Sequence, residues 1–190
     1  MLPRSAVAKD GILAADRQNN AKPSPGPIIY IFLDGVGIGE ANAEKNPFAR
    51  FKNRFFGAHA GKTFSMAGEV ISTDAHMGIP GLPQSATGQT ALFTGYNGPQ
   101  ILGRHVNGFP TFTLRPYFKE KNLLKVMNDA GLNATLINSY SSIYLKRMEH
   151  PRAERMISAS SLMQRHSGKP YFTTEDYLAG NSLYMDLSNS

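Results

Sequence analysis

The sequence predicts an α/β fold in which a mainly parallel sheet is flanked by helices. Two patterns support this prediction. The apolar run 28–33 is rich in β-branched and aromatic residues and leads into the glycine-rich segment 34–39, as a buried strand leads into a tight turn. A helical pattern over 116–130 is followed by the strand-like segment 134–137, and alternation of helices and strands is typical of a parallel sheet.

The chain before the first predicted strand differs in composition from the rest. Residues 1–26 are polar and lead into a proline-rich stretch that begins at Lys22, which favours an extended, flexible leader. The folded domain is therefore predicted over 27–190, with about 140–190 forming a cap or an irregular segment.

Three elements are predicted between the two patterns. Spacing close to that of a helix predicts a packed helical face formed by Phe48, Phe51, Phe55 and Phe56. Residues 69–73 predict a second strand. A helix follows, with Ser85 or Thr87 as its N-cap and an end near Gly95.

The second half of the chain predicts further helices. The pattern over 116–130 places an apolar stripe on one face and ends at Gly131, a residue that suits a helix C-terminus. The stripe consists of Leu123, Met127 and Ala130. A short helix is predicted around Leu162, and Thr174 is predicted to cap a turn that runs to Gly180.

Composition excludes several classes of protein. Hydrophobic residues make up 41% of the chain and charged residues 18%, which is typical of a globular domain. The absence of cysteine excludes disulfides and thiolate metal sites. No apolar stretch approaches the roughly 20 residues that span a bilayer. We therefore expect a cytoplasmic protein.

The net charge of +6 does not by itself indicate a nucleic-acid partner. Basic residues are interspersed with acidic ones, and the sequence contains no recognised nucleic-acid-binding motif. The expected interpretation is a solvated surface, without nucleic acid or membrane as a partner. A positive field would also favour a phosphorylated substrate.

Asp34 and Ser85 are the residues most typical of a reactive site. Asp34 follows the first predicted strand, and ligands bind beyond the carboxyl ends of the strands of parallel sheets. Ser85 precedes a predicted helix, but a serine hydroxyl needs a base or a metal to become a nucleophile. A divalent cation held by Asp34 would supply that activation. An ordinary Asp-Gly turn and an ordinary serine cap remain open as alternatives.

The two segments resemble a known family. Residues 31–40, Ile-Phe-Leu-Asp-Gly-Val-Gly-Ile-Gly-Glu, are similar to the metal-binding strand of phosphopentomutases and cofactor-independent phosphoglycerate mutases, members of the alkaline phosphatase superfamily. Residues 85–88, Ser-Ala-Thr-Gly, resemble their nucleophile segment. The stretch 81–90 together with 103–105 and 108–110 is similar to a less characterised metalloenzyme branch of that superfamily.

The resemblance implies a phosphoryl-transfer site. It implies that Asp34 is a ligand of one of two divalent ions, which could be Mn, Zn or Mg, and that Ser85 is the metal-bridging, catalytic nucleophile. A glycine-flanked loop contains Arg104 and His105, where the guanidinium would clamp the phosphate of a small substrate. The substrate-binding set predicted from position in the sequence is Gln84, Gln89, Arg104 and His105.

The chain also departs from the family pattern. Gln89 stands where the mutases commonly have a histidine, and no Asp/His cluster follows Thr111. The resemblance therefore implies only the N-terminal part of an alkaline-phosphatase-like core, lacking its C-terminal half. Two hypotheses follow. One is a metal-dependent phosphomutase or phosphohydrolase, and the other is a catalytically silent, truncated metal- or anion-binding protein that depends on a partner chain or on a missing C-terminal half.

Overall fold

A computed structural model describes residues 26–51 and 71–184 of the chain. The chain divides into two compact units, residues 1–33 and 34–190. The predicted leader lies outside the described residues except for Gly26. The elements described below all belong to the second unit.

The first predicted strand is wrong. Residues 28–33 form no regular secondary structure, and the side chains of Ile28 and Ile29 are 78% and 84% exposed. A strand requires a neighbouring strand that completes its backbone hydrogen bonds, and none of the three described strands forms a ladder with this run. The apolar pattern therefore does not suffice to form the strand.

Helices make up most of the described second unit. They are short, and most of the α-helices have seven residues or fewer. The described helices are α1 (Pro47–Arg50), α2 (Ser85–Thr94), α3 (Gly98–Leu102), α4 (Arg115–Glu120), α5 (Leu123–Asp129), α6 (Ser142–Glu149), α7 (Ala159–Arg165) and α8 (Thr174–Leu178), with a 3₁₀ helix over Pro151–Met156.

Two predictions before α2 need correction. The aromatic helix is reduced to the single turn α1, because the backbone becomes extended at Phe51, whose side chain is 64% exposed. Phe55 and Phe56 lie outside the described residues. The predicted strand 69–73 also lies partly outside them, and its described part, 71–73, is not a strand.

The long helix predicted over 116–130 is two helices. The break comes at Lys121 and Asn122, where the backbone is extended, and the Asn122 side chain accepts a hydrogen bond from the backbone N–H of Lys125 to cap α5. The apolar stripe predicted from Leu123, Met127 and Ala130 is therefore not the buried face of α5. Leu124 is the buried leucine of α5, whereas Ala130 is exposed.

The sheet is small and parallel, which confirms the α/β class in its coarse form. Strand β1 (Asn138–Tyr140) lies in the centre, between β2 (Phe172–Thr173) and β3 (Leu183–Tyr184), and both pairings are parallel. The predicted strand 134–137 is wrong by position, because the ladder partners pair with the residues that follow it.

The hydrophobic core lies between α2, α4, α5 and α7. It is centred on Phe118, which is fully buried, and on Phe93 from α2. Burial of each such side chain contributes roughly 1.5–3 kcal/mol to the free energy of unfolding. The remaining buried members are Leu124, Met148, Ile157, Ala159, Leu162 and Met163.

Two predictions for the last part of the chain were close. The helix predicted around Leu162 is confirmed as α7. The turn near 174–180 is the helix α8, but its cap is Thr173 rather than Thr174, because the Thr173 side chain and that of Asp176 each bond the other residue's backbone N–H. None of the helices in the described ranges has the length and hydropathy needed to cross a membrane.

Candidate functional site

Asp34 and Ser85 lie in direct contact although 51 residues separate them in sequence. The Ser85 hydroxyl donates a hydrogen bond of 2.7 Å to Oδ2 of Asp34. Asp34 stands at the start of a turn whose next residue, Gly35, has a φ of +71° that a glycine adopts without strain. Ser85 is the first residue of α2. The turn and the helix thus bring a carboxylate and a hydroxyl together.

Gln89 approaches the same carboxylate from the next turn of α2. Its Nε2 lies 3.3 Å from Oδ2 of Asp34, so one carboxylate oxygen accepts from both Ser85 and Gln89. Residues four apart face the same side of a helix, which explains why both side chains reach Asp34. Three of the predicted site residues are therefore brought together, and their chemical roles stay predictions.

The N-terminus of α2 is capped by a backbone carbonyl. Gln84 occupies the N-cap position but makes no side-chain cap bond, so neither Ser85 nor Thr87 is the predicted cap. Instead, the carbonyl oxygen of Val106 accepts from the backbone N–H groups of Ala86 and Thr87, at 3.0 and 3.4 Å. These two N–H groups would otherwise be available to an anion at the helix N-terminus.

Thr87 fixes Val106 in this position. Its fully buried side chain accepts a hydrogen bond of 3.2 Å from the backbone N–H of Val106 and donates one of 3.2 Å to the carbonyl oxygen of Gln84. Both polar backbone groups of Val106 are thereby bound to the first turn of α2. Sequence reasoning missed Val106, because any residue type can supply a backbone carbonyl.

The loop over 74–84, which precedes α2, is held by hydrogen bonds from two side chains that follow α2 in the sequence. It is called the anchored loop below. Nε2 of His105 lies 2.9 Å from the carbonyl oxygen of Ile79, and Asn97 donates to the carbonyl oxygen of Met77 at 3.0 Å. Met77 has a φ of +51°, the left-handed region that costs energy for residues other than glycine. The anchored loop thus sets where the chain enters α2.

The other predicted substrate-binding residues do not reach Asp34. Arg104 is exposed, and its backbone N–H donates to Pro99. Nε2 of His105 contacts Ile79, and Nδ1 is buried without a hydrogen-bond partner. Gln84 contributes its carbonyl oxygen to Thr87. Among the described residues, only Ser85 and Gln89 donate side-chain hydrogen bonds to Asp34.

His76 and Asp74 form a separate exposed pair in the anchored loop. Nδ1 of His76 lies 3.3 Å from Oδ1 of Asp74. The pKa of Asp74 is lowered, mainly because its carboxylate accepts a hydrogen bond from the backbone N–H of His76. The two imidazole rings of His76 and His105 meet edge to face, with centroids 6.3 Å apart.

The side-chain oxygen atoms of Asp34 and Ser85 are of the kind that could bind a hard cation. The carboxylate of Asp34 and the hydroxyl of Ser85 are oxygen ligands, whereas Gln89 presents its nitrogen Nε2 to the carboxylate. Mg²⁺ commonly uses one or two carboxylates and completes its coordination with water. Within residues 26–51 and 71–184, however, no three His, Asp, Glu or Cys side chains lie together as a metal-binding group.

Comparison with models of protein families, with curated proteins and with solved structures finds no match to this chain.

Proposed function

We propose that the chain is a metal-dependent phosphoryl-transfer protein of the alkaline phosphatase superfamily, acting as a phosphomutase or phosphohydrolase with Ser85 as its nucleophile. The observation that supports the proposal is the 2.7 Å hydrogen bond between the Ser85 hydroxyl and Asp34. Two short segments that resemble separate parts of one family site in sequence are thus adjacent in space. A small phosphorylated molecule is the proposed substrate.

Asp34 alone does not activate the serine. A carboxylate is a far weaker base than an alkoxide, so hydrogen bonding orients the Ser85 hydroxyl without ionising it. Asp34 and Ser85 would hold the divalent cation. When bound, that cation would act as a Lewis acid that lowers the pKa of the hydroxyl.

The roles of the chain's own residues follow from their positions. Ser85 attacks phosphorus, its Oγ–P bond forms as the bond to the leaving group breaks, and its proton passes toward Asp34. Water then releases phosphate in a hydrolase, whereas a second substrate hydroxyl accepts the phosphoryl group in a mutase. The role proposed for Arg104, binding the equatorial oxygens, comes from its glycine-flanked loop in the sequence and not from its position in the structure. The N–H groups of Ala86 and Thr87 are excluded from that task, because Val106 occupies both.

The test is turnover of a phosphomonoester such as p-nitrophenyl phosphate, with Mg²⁺, Mn²⁺ or Zn²⁺ added. We expect Ser85→Ala and Asp34→Asn each to abolish turnover. Ser142→Ala is a matched control, because Ser142 is the exposed first residue of α6 as Ser85 is of α2. Asp129→Asn controls for loss of a carboxylate in an exposed ion pair. Wild-type turnover in Ser85→Ala would disprove the mechanism.

A second candidate function is metal or anion binding without turnover. The occupation of the α2 N–H groups by Val106 favours it, because a phosphoryl group then lacks donors that helix N-termini commonly supply. Metal titration separates the two. Binding of a divalent ion that Asp34→Asn weakens, without turnover on any phosphomonoester tested, would favour the binding protein.

A further inference from the structure

A second polar site surrounds Arg115, at the start of α4. The residue is only 8% exposed, and neither Nη1 nor Nη2 has a hydrogen-bond partner among the residues that the structure describes. Nε donates to the carbonyl oxygen of Pro110 at 3.0 Å, which fixes the guanidinium beside the preceding turn. The described residues place no carboxylate within ion-pair distance of it. Burial of the two Nη groups without hydrogen-bond acceptors destabilises the fold, and a bound anion would supply such acceptors.

Thr111 adds a second unsatisfied group at the same turn. Its Oγ1 is buried and has no hydrogen-bond partner. Its carbonyl oxygen accepts from the backbone N–H of Arg115 at 3.1 Å, and Nε of Arg115 reaches back to Pro110, the residue before Thr111. A hydroxyl and the two free ends of a guanidinium therefore belong to one turn, and these are donors that bind oxyanions.

The surroundings of this turn are positive. The Cζ atoms of Arg115 and Arg155 lie 5.3 and 5.5 Å from the centroid of the Phe112 ring. Arg165 is near enough for its charge to act on Arg115, as is Glu154 with the opposite sign. The guanidiniums of Arg115 and Arg155 thus lie at one ring, and the positive charge of Arg165 opposes the negative charge of Glu154. The excess of positive charge favours an anion.

The aromatic ring of Phe112 lies on the solvent side of this site. Its ring is 58% exposed and lies over the guanidiniums of both Arg115 and Arg155. Since it is only partly packed, it can move without disrupting the core. Movement of the ring would open Nη1 and Nη2 to a ligand.

We propose that Arg115 and Thr111, with Arg155 beside them and Phe112 as a movable cover, bind the oxyanion group of a small molecule, a phosphate or a carboxylate. The fork of Nη1 and Nη2 suits bidentate binding of either group. The site is distinct from Ser85 and Asp34, and it does not depend on the proposed phosphoryl transfer.

The test is calorimetric titration of the full chain with inorganic phosphate and, separately, with acetate, at constant ionic strength. We expect binding of one of these anions to wild type and to Ser85→Ala. Arg115→Met should weaken it about tenfold or more, and Thr111→Val about fivefold. Arg147→Met is the control, because Arg147 is exposed on α6. Preference for acetate over phosphate would identify the ligand group as a carboxylate.

Two further measurements separate this role from a structural one. Without ligand, Thr111→Val should keep or raise the Tm, because it removes an unsatisfied buried hydroxyl. Arg115→Met is not used for this comparison, because it also loses the Nε hydrogen bond to Pro110. Phe112→Ala should speed anion association. If Arg115→Met does not fold, Thr111→Val and Phe112→Ala decide the question. No binding of either anion at tens of millimolar, or equal binding by wild type and Thr111→Val, would overturn the proposal.

Discussion

At the scale of single residues, the candidate site depends on two kinds of contact. Asp34 reaches Ser85 and Gln89 through exposed side-chain hydrogen bonds, whereas Thr87 joins Val106 to α2 from a fully buried position. An exposed hydrogen bond contributes little to folding, because water replaces it when it breaks. The buried contacts of Thr87 therefore govern stability, and the exposed contacts of Asp34 are available for chemistry.

Replacement of Thr87 by valine tests whether its buried hydrogen bonds contribute to the stability of the fold. Thr87→Val keeps the shape but leaves the backbone N–H of Val106 without its partner, so we expect a loss of about 1–3 kcal/mol in the free energy of unfolding, measured by urea titration. Thr90→Val is the matched control. Thr90 is equally buried in α2, but its hydroxyl donates to Ala86, a carbonyl already bonded within the helix. Equal losses in both variants would contradict the role of Thr87.

The sequence predicts the side chains that meet at Asp34, but not the backbone group that caps α2 or the burial of Arg115. Asp34 and Ser85 were identified because carboxylates after apolar runs and serines before helices have recognisable chemistry. Val106 has no such signal, since its contribution comes from the backbone. Arg115 was missed because its burial depends on how the turn before α4 packs, which the local sequence does not show.

At the scale of elements, α2 and α3 approach each other closely at one glycine. A Cβ atom on Gly98 would lie 2.5 Å from the carbonyl oxygen of Thr87, which is closer than van der Waals contact permits. The close approach lets α3 pack against the first half of α2, next to the residues that Val106 caps. Gly98 therefore sets the position of α3 relative to the candidate site.

We expect Gly98→Ala to lower the free energy of unfolding by about 1–3 kcal/mol, because the backbone of α2 or α3 must shift to admit the methyl group. Gly88→Ala is the control. Gly88 lies inside α2 with nothing within 4 Å of the added Cβ, so there alanine should stabilise the helix by about 0.5–1 kcal/mol. A thermal unfolding series reports both changes, and a neutral Gly98→Ala would show that the helices can separate at no cost.

The elements that were predicted poorly depend on contacts distant in sequence. The helical pattern runs through Asn122 without interruption, yet this fully buried side chain donates to the carbonyl oxygen of Phe118 at 2.8 Å and caps α5. Strand β1 lies after the predicted 134–137 because its partners, β2 and β3, come from 30 or more residues later. Local pattern cannot reveal such partners.

At the scale of the whole molecule, the α/β class was predictable and the extent of the sheet was not. Helix and strand content follow from periodicity, which the sequence displays directly. The apolar run 28–33 gave the strongest strand signal, yet it forms no strand in the described structure. Apolar composition shows that a segment can be buried, but pairing decides whether it becomes a strand.

The stability of the whole chain should depend on pH through His166. Burial lowers the pKa of this histidine, and the positive charges of Arg165 and Lys119 lower it further. Because the folded pKa lies below the unfolded value of about 6.5, the unfolded chain binds more protons in acid. Stability from this group is therefore complete above about pH 6.5 and is lost as the pH falls through the folded pKa.

We expect the urea midpoint to fall between about pH 7.5 and pH 5.5, and His166→Gln to reduce that fall. His150→Asn is the control, because His150 is exposed and asparagine can replace it as the N-cap of the 3₁₀ helix. An unchanged pH dependence in His166→Gln would assign the effect to other groups.

The contacts around α2 also imply an order of assembly. Three contacts join residues that are 19 to 26 positions apart: those of Asn97 and His105 with the anchored loop, and that of Thr87 with Val106. The contact between Asp34 and Ser85 joins residues that are 51 positions apart. Shorter loops lose less chain entropy on closing and form sooner. The serine side of the site should therefore be complete before the carboxylate arrives. Asp34 then docks onto a surface that is already folded, so Asp34→Asn should remove the carboxylate without unfolding the helix that receives it.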